Sequence, residues 1–460
     1  MSYSPTDLKL NPNTTIRSIQ VINIIAQEQA IGVSFRNESE LLKLTNNLNV
    51  APGTIHDIIS RCGSYTRKKI ELERSKILDE ANYTQEGLPK NLEETKKNFG
   101  ITELNAHPKL TELAKSVGVY NTVLEVNWNK LPENKRSPKP NRVNSIAFQS
   151  TIERQCPDLP LVYISVDEVM VKKQKETRDI IEPHYKQSQR KRTLTQHAKY
   201  VEKKLAKKKY QAENQERQEF SKHCKLSFIE DERCVSTTTV TIKWDDKFQS
   251  LVAPSLEEGF MDLVAFLLRN KIINRHLVFL IDGAQCLKKN IDKYFNYCSY
   301  QIIMDWYHVD HQIDTMIGRG TIGSVDEKKA FRKQIKSDIW YYNYAQALKD
   351  IAILKQDHST KDRCSILTNA ENYLKNKLPM LTCYGFRMYL GLPNSSNSVE
   401  RYNGLIVSSR QKHQGISWSQ LGSNNQALIG CAKYNHKLDC LLQGAVNEDY
   451  DTDLGLFKAA

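Results

Sequence analysis

The chain has 460 residues, 40% of them apolar and 26% charged, which is enough for two or more packed domains and argues against wholesale disorder. Lys and Arg total 66 against 53 Asp and Glu, and this net charge of +13 points to a polyanionic partner, nucleic acid first. No run approaches the ~18 unbroken apolar residues of a membrane helix, and Met1-Ser2-Tyr3-Ser4-Pro5 lacks a basic-then-apolar signal pattern, so membrane insertion and secretion are not expected. The ten cysteines include no Cys-x-x-Cys pair and read as reduced thiols of a cytoplasmic, nucleoid-associated protein. Neither His223, Cys224 and Cys234 nor His308 and His311 complete a zinc ligand set.

The first element with a shape is Leu44 to Ile59, which reads as helix, tight turn, helix. Leu44, Leu48, Val50, Ile55, Ile58 and Ile59 would close a small core, Thr45 lets the helices cross, and Asn49 takes the turn position that favours positive φ. Pro52, Gly53, His56 and Asp57 then face outward, Gly53 and His56 being candidates for DNA contact in the major groove; the alternative is an ordinary helical hairpin. This assigns 1–62 to an all-α helix-turn-helix domain. A weaker version at Leu113 to Val123, with the basic segment Arg67–Lys76 before it, makes 63–130 a second helical DNA-binding region. Residues 131–145, with three prolines and several basic residues, read as an extended linker.

From 146 to 445 the pattern changes to β-branched runs between helices. Leu161–Asp167 is a buried strand ending in a carboxylate. Residues 171–225 hold 17 Lys and Arg against 7 Asp and Glu, so this insertion (172–225) carries most of the excess positive charge. It is either a solvated helical face or a DNA-tracking arm, with Lys191, Arg192, Lys203 and Lys207 as candidate phosphate contacts. Cys234–Trp244 is a strand, Ser255 opens a helix to Arg269, and His276–Asp282 and Tyr300–Asp305 are two more strands ending in carboxylates. Residues 325–378 read as a helical insertion. Asn397 or Ser398 caps a helix with Glu400 in its first turn, a further helix spans about Asn424–Leu442, and 446–460 form an acidic tail expected to be disordered.

Asp167, Asp282 and Glu400 come from separated segments, and three converging carboxylates repel one another unless cations join them. Two Mg²⁺ ions, with Mn²⁺ as substitute, would suit such hard oxygen ligands and the cleavage of a phosphodiester. Taken singly, each carboxylate also fits a turn former or a helix cap. Asp282-Gly283-Ala284, Asp305-Trp306-Tyr307-His308, Asn397-Ser398-Val399-Glu400-Arg401 and His413-Gln414-Gly415-Ile416-Ser417-Trp418-Ser419 together resemble the catalytic region of bacterial DDE insertion-sequence transposases, most of all the Kra and Lre groups. The resemblance spans residues 160–435, about 60% of the chain, with Asp167-Glu168-Val169 where relatives often carry Asp-Gly-Thr or Asp-Gly-Val.

That family implies an α/β ribonuclease-H-like catalytic domain with helical insertions. Its first Asp lies on the first strand, its second after the fourth, and its Glu on a helix behind an insertion; Asp167, Asp282 and Glu400 match in that order. They are the implied catalytic and metal-binding residues, Glu168 and Asp305 being the competitors of Asp167 and Glu400. Trp306, His308 and Asn403 are supporting residues. Arg410, Lys412 and His413 are candidates for holding the DNA backbone, and Trp418 either stacks on a flipped base or sits in the core. The implied activity is binding of terminal inverted repeats, then strand cleavage and transfer on double-stranded DNA by a homodimer or larger assembly. The alternatives are a structure-selective nuclease of the same fold and a non-catalytic DNA-binding regulator.

Overall fold

The computed structural model describes residues 19–98, 123–125, 145–147, 161–173, 234–356, 361–389, 392–412, 417–447 and 449–458. Three helices open it: α1 (Ile19–Ala30), α2 (Phe35–Asn46) and α3 (Pro52–Glu80). Ser34 caps α2 by accepting from the Asn37 amide, and Pro52 starts α3 where its missing N–H costs nothing. The helix, turn, helix reading is present, with two corrections. The chain reverses at Asn47, whose φ is 53°, rather than at Asn49. Leu44 is 83% exposed because the inward stripe of α2 runs through Glu38 and Leu42 instead. Val50, Ile55 and Ile59 are buried as expected.

No boundary falls at residue 62. Helix α3 runs 29 residues without a break and packs along the C-terminal helices α14 (Gln420–Tyr434) and α15 (Leu438–Asn447). Ile22, Ile25, Leu42, Ile55 and Ile59 share one core cluster with Ile429, Leu438 and Leu441. Gly63 permits the closest approach: a Cβ there would come within 2.5 Å of the Asn425 Cα. In the basic segment Arg67–Lys76, Arg67, Lys69 and Arg74 turn inward, while Lys68 and Lys76 are exposed. Arg67 and Arg74 pair with Glu258 and Asp262 of α5 (Leu256–Arg269), and Lys69 is 2% exposed. Burial beside opposite charges, not exposure to a polyanion, explains those cations. A short α4 (Leu92–Asn98) follows, and β1 (Val123–Glu125) pairs antiparallel with β2 (Ser145–Ala147). The Leu113–Thr122 motif and most of the linker lie outside the described residues.

A five-stranded mixed sheet forms the centre, built from β3 (Leu161–Lys172), β4 (Cys234–Trp244), β5 (Lys247–Ala253), β6 (His276–Ile281) and β7 (Tyr300–Met304) in the order β5-β4-β3-β6-β7. The first three are antiparallel neighbours; β3, β6 and β7 run parallel. All six residues of β6 are buried, as a strand covered on both faces requires. Helices α5 and α6 (Gln285–Phe295) contribute Phe260, Phe266 and Phe295 to the core over the sheet. The chain is thus a mixed α/β protein with many helices.

Beyond the sheet come α7 (Trp306–Gly320), then α8 (Val325–Trp340), α9 (Tyr344–Gln356) and α10 (Lys361–Lys377), which make up the helical insertion expected over 325–378, and α11 (Tyr384–Tyr389). Helix α12 (Asn397–Asn403) passes through a π turn at Gly404–Ser408 into α13 (Ser409–Gln411). The single helix expected near 424–442 is two, α14 and α15, broken at Asn435 and His436, the latter with φ 57°.

The acidic tail is not loose over its described residues. Lys69 Nζ donates to the carbonyls of Tyr450 and Thr452, and Glu73 accepts from the amides of Leu454 and Leu456. Asp453 pairs with Arg269 at 2.9 Å, and Phe457 is 2% exposed within the main core. Carboxylates that read as a solvated tail serve here as turn and ion-pair partners. No disulfide joins any two of the eight cysteines among the described residues, and no helix among these residues is long and apolar enough to cross a membrane.

Candidate active site and nucleic-acid interface

Asp167 does not end its strand; β3 continues to Lys172, so the carboxyl projects from mid-strand. One oxygen accepts from the Glu168 amide at 2.9 Å and the other from Asn403 Nδ2 of α12 at 2.6 Å. Asp282 follows β6, the fourth strand of the sheet, in a turn where its Oδ1 accepts from the Ala284 amide at 2.7 Å. Gly283 has φ +84°, and a Cβ there would meet Met304 at 2.8 Å, so only glycine fits this turn. Glu400 stands in the first turn of α12, 3.6 Å from His308 Nε2.

Burial pushes the Asp167 carboxyl up to about 6, and the charges of Asp282 and then Glu400 add to the rise, while the Glu168 amide and His308 oppose it. Asp282 and Glu400 therefore both act on Asp167 through space. Glu168 is also raised, chiefly by burial with the charges of Asp167 and Asp282 adding, and its side chain accepts from Ser236 Oγ at 3.1 Å. Cys286 is pushed up to about 11 by burial, with Glu168 and Asp282 contributing.

A raised carboxyl pKa means that the folded state binds a proton more readily than the unfolded chain. The metal-free protein is thus relatively most stable below the ordinary Asp value of 3.8 and loses this contribution as pH climbs through about 6. Asp167→Asn removes the loss. The buried Oδ1 of Asn403 has no partner and, after an amide flip, would accept from the new side chain. In chelator, the melting temperature of Asp167→Asn should exceed that of the native protein at pH 8, with the gap closing towards pH 4. A gap independent of pH would contradict the charge argument.

Asp305 is a helix cap. It is fully buried; one oxygen accepts from the Tyr307 amide and the other from the amide and hydroxyl of Ser396. The cap of α12 is Ser396, not Asn397 or Ser398, and Asp305 holds it in place. Trp306 packs against Trp340 and Tyr384 at the edge of the main core. His308 faces Glu400, while His311 stacks on Tyr307.

The proposed DNA contacts divide. Gly53 and His56 are exposed at the start of α3, with Asp57 beside them, and Lys412 is exposed. Arg410 is not: at 2% exposure its guanidinium lies 4.6 Å from the Phe35 ring centre and 5.0 Å from that of Trp418 and donates to Gln29. The π turn after Asn403 shifts the helical register and rotates Arg410 inward. Trp418 is 6% exposed in the core, so it offers no open face to a base. Lys191, Arg192, Lys203, Lys207 and His413 lie outside the described residues.

The sequence reading missed Lys377, the last residue of α10. Half-buried, it donates to the Gly283 carbonyl; burial lowers its pKa and the charge of Asp282 opposes the fall. Tyr373, one turn earlier, bonds to Met304 Sδ, and its hydroxyl pKa is raised by burial and then by Asp282.

The donor set is chemically suited to a hard divalent cation: carboxylate oxygens, with Asp282 and Glu400 both raising the pKa of Asp167. Their spacing is not yet a metal site, since among the described residues no three His, Cys, Asp or Glu side chains form a group able to hold an ion. Comparison of the chain with models of known protein families and with curated proteins finds no match.

Proposed function

We propose that the protein is a DNA strand-transferring enzyme of the DDE type, with Asp167, Asp282 and Glu400 as its acidic residues. One observation carries the reading: Asp167 on the first strand of the sheet lies close enough to feel the like charges of Asp282, after the fourth, and of Glu400, on a helix that lies behind a helical insertion and also hydrogen-bonds Asp167 through Asn403. That is the order the DDE resemblance implies, on a sheet compatible with a ribonuclease-H-like domain. Divalent cations, when bound by these carboxylates, would activate the attacking oxygen and stabilise the leaving one. Asn403 orients Asp167 and the Ala284 amide orients Asp282. Water attacks a phosphodiester at the element end and releases a 3′-hydroxyl. That hydroxyl then attacks a target phosphodiester, losing its proton and displacing a second 3′-oxygen, with no net change in bond number. The exposed face of Gly53 and His56 would meet the duplex, and two ends held together call for a dimer or larger assembly.

A second reading, a DNA-binding regulator without catalysis, is favoured by the absence of a closed three-ligand group among the described residues. Labelled DNA carrying the sequences that flank the gene, incubated with protein and Mg²⁺ or Mn²⁺, separates the two. Nicking and joining at the ends by the native protein, lost in Asp282→Asn, are the expected result. Binding with no metal-dependent cleavage would leave the regulator.

A further inference from the structure

Lys355 and Lys375 pair with Glu371, but Lys377 takes no carboxylate partner among the described residues and gives a single hydrogen bond, to the Gly283 carbonyl. An ammonium carries three donors, so two remain at the turn that presents Asp282. The turn has no need of a charge to keep its shape. The Asp282 carboxylate already accepts from the Ala284 amide, and Met304 fills the space where Gly283 lacks a Cβ. A half-buried cation with free donors beside an acidic site is arranged for an anion that arrives from outside. The exposed candidates for DNA contact, Gly53, His56 and Lys412, belong to other elements than α10.

We propose that Lys377 is a phosphate-binding residue of the nucleic-acid site, its two free donors taking a non-bridging oxygen of the backbone phosphate that lies beside Asp282. The assignment rests on the DNA strand-transfer reading. The helical insertion then has a task in the site: its last residue delivers a cation to the strand that Asp167 and Asp282 face.

Binding of duplex element ends should be titrated against salt, without divalent metal, for the native protein, Lys377→Gln and Lys377→Arg. Loss of one phosphate contact is expected to weaken Lys377→Gln about tenfold near 0.1 M salt and to lower the slope of log K against log salt by about one, with Arg restoring the slope. Neutral methylphosphonates placed singly along the strand should reveal one position that weakens the native protein and leaves Lys377→Gln unaffected. Acylation of lysines in the native protein, read by mass spectrometry with and without the duplex, needs no variant to fold; Lys377 should be protected. Native protein that binds the ends while Lys377 stays equally reactive, or a folded Lys377→Gln with unchanged slope and unchanged interference, overturns this assignment alone. Native protein that binds no DNA overturns the strand-transfer reading as well.

Discussion

Asp167→Asn should abolish metal-dependent cleavage of element ends, by about a thousandfold or more, while Glu168→Gln leaves most of it. The two neighbours differ in what they face. Asp167 is bonded to Asn403 on the helix that carries Glu400 and feels Glu400 and His308 directly, whereas Glu168 is bonded to Ser236 on β4 and crowds Cys286. The first is tied by its hydrogen bond to α12, the second to β4. DNA binding in the absence of metal should survive both substitutions, because neither side chain belongs to the exposed face of α3. Gel shifts and end-cleavage assays on the same preparations measure the two quantities. Equal loss of cleavage in both variants would move the centre of the site to the Glu168 side of β3.

The largest effect on stability is expected at Arg410. Arg410→Ala should cost about 3–5 kcal/mol in urea unfolding, the range for removing one partner from a buried charged network. The guanidinium lies in the corner formed by the edge-on rings of Phe35 and Trp418 and is bonded to Gln29, which in turn donates to the buried carboxyl of Glu38. Lysine should recover little, since a point charge reproduces neither the contact of a flat guanidinium with two rings nor the forked donors. Glu38→Gln gives the contrast. Burial drives the Glu38 carboxyl up to about 7, so it is substantially protonated in neutral solution and a neutral amide replaces it cheaply. The native protein should lose stability relative to Glu38→Gln as pH rises through 7, and match it most closely below the ordinary Glu value of 4.5.

The sheet was largely legible in the sequence. Residues 161–167, 234–244 and 276–281 are β-branched runs bounded by breakers, and Ser255 before Leu256–Arg269 is a readable cap. The carboxylates at or after those strands were legible for the same reason. What escaped were polar residues with partners far away in the chain. Arg67, Lys69 and Arg74 look like an exposed basic face because their acceptors, Asp262, Glu258 and the carbonyls of Tyr450 and Thr452, lie some 190 to 380 residues downstream. Arg410 escaped because one π turn changes which way a residue points, and helical spacing assumes a constant period. Lys377 escaped because nothing local distinguishes it from Lys375.

Helix α3 has its exposed start at Gly53 and its later turns packed on α5, α14 and α15, without a hinge in between. For an enzyme reading DNA with one end of that helix, the offset between the bases recognised and the bond broken would be set by side-chain packing rather than by slack in a tether. Inserting a base pair between recognised sequence and cut point should then leave the cut at the same distance from the recognised sequence, instead of at the same nucleotide.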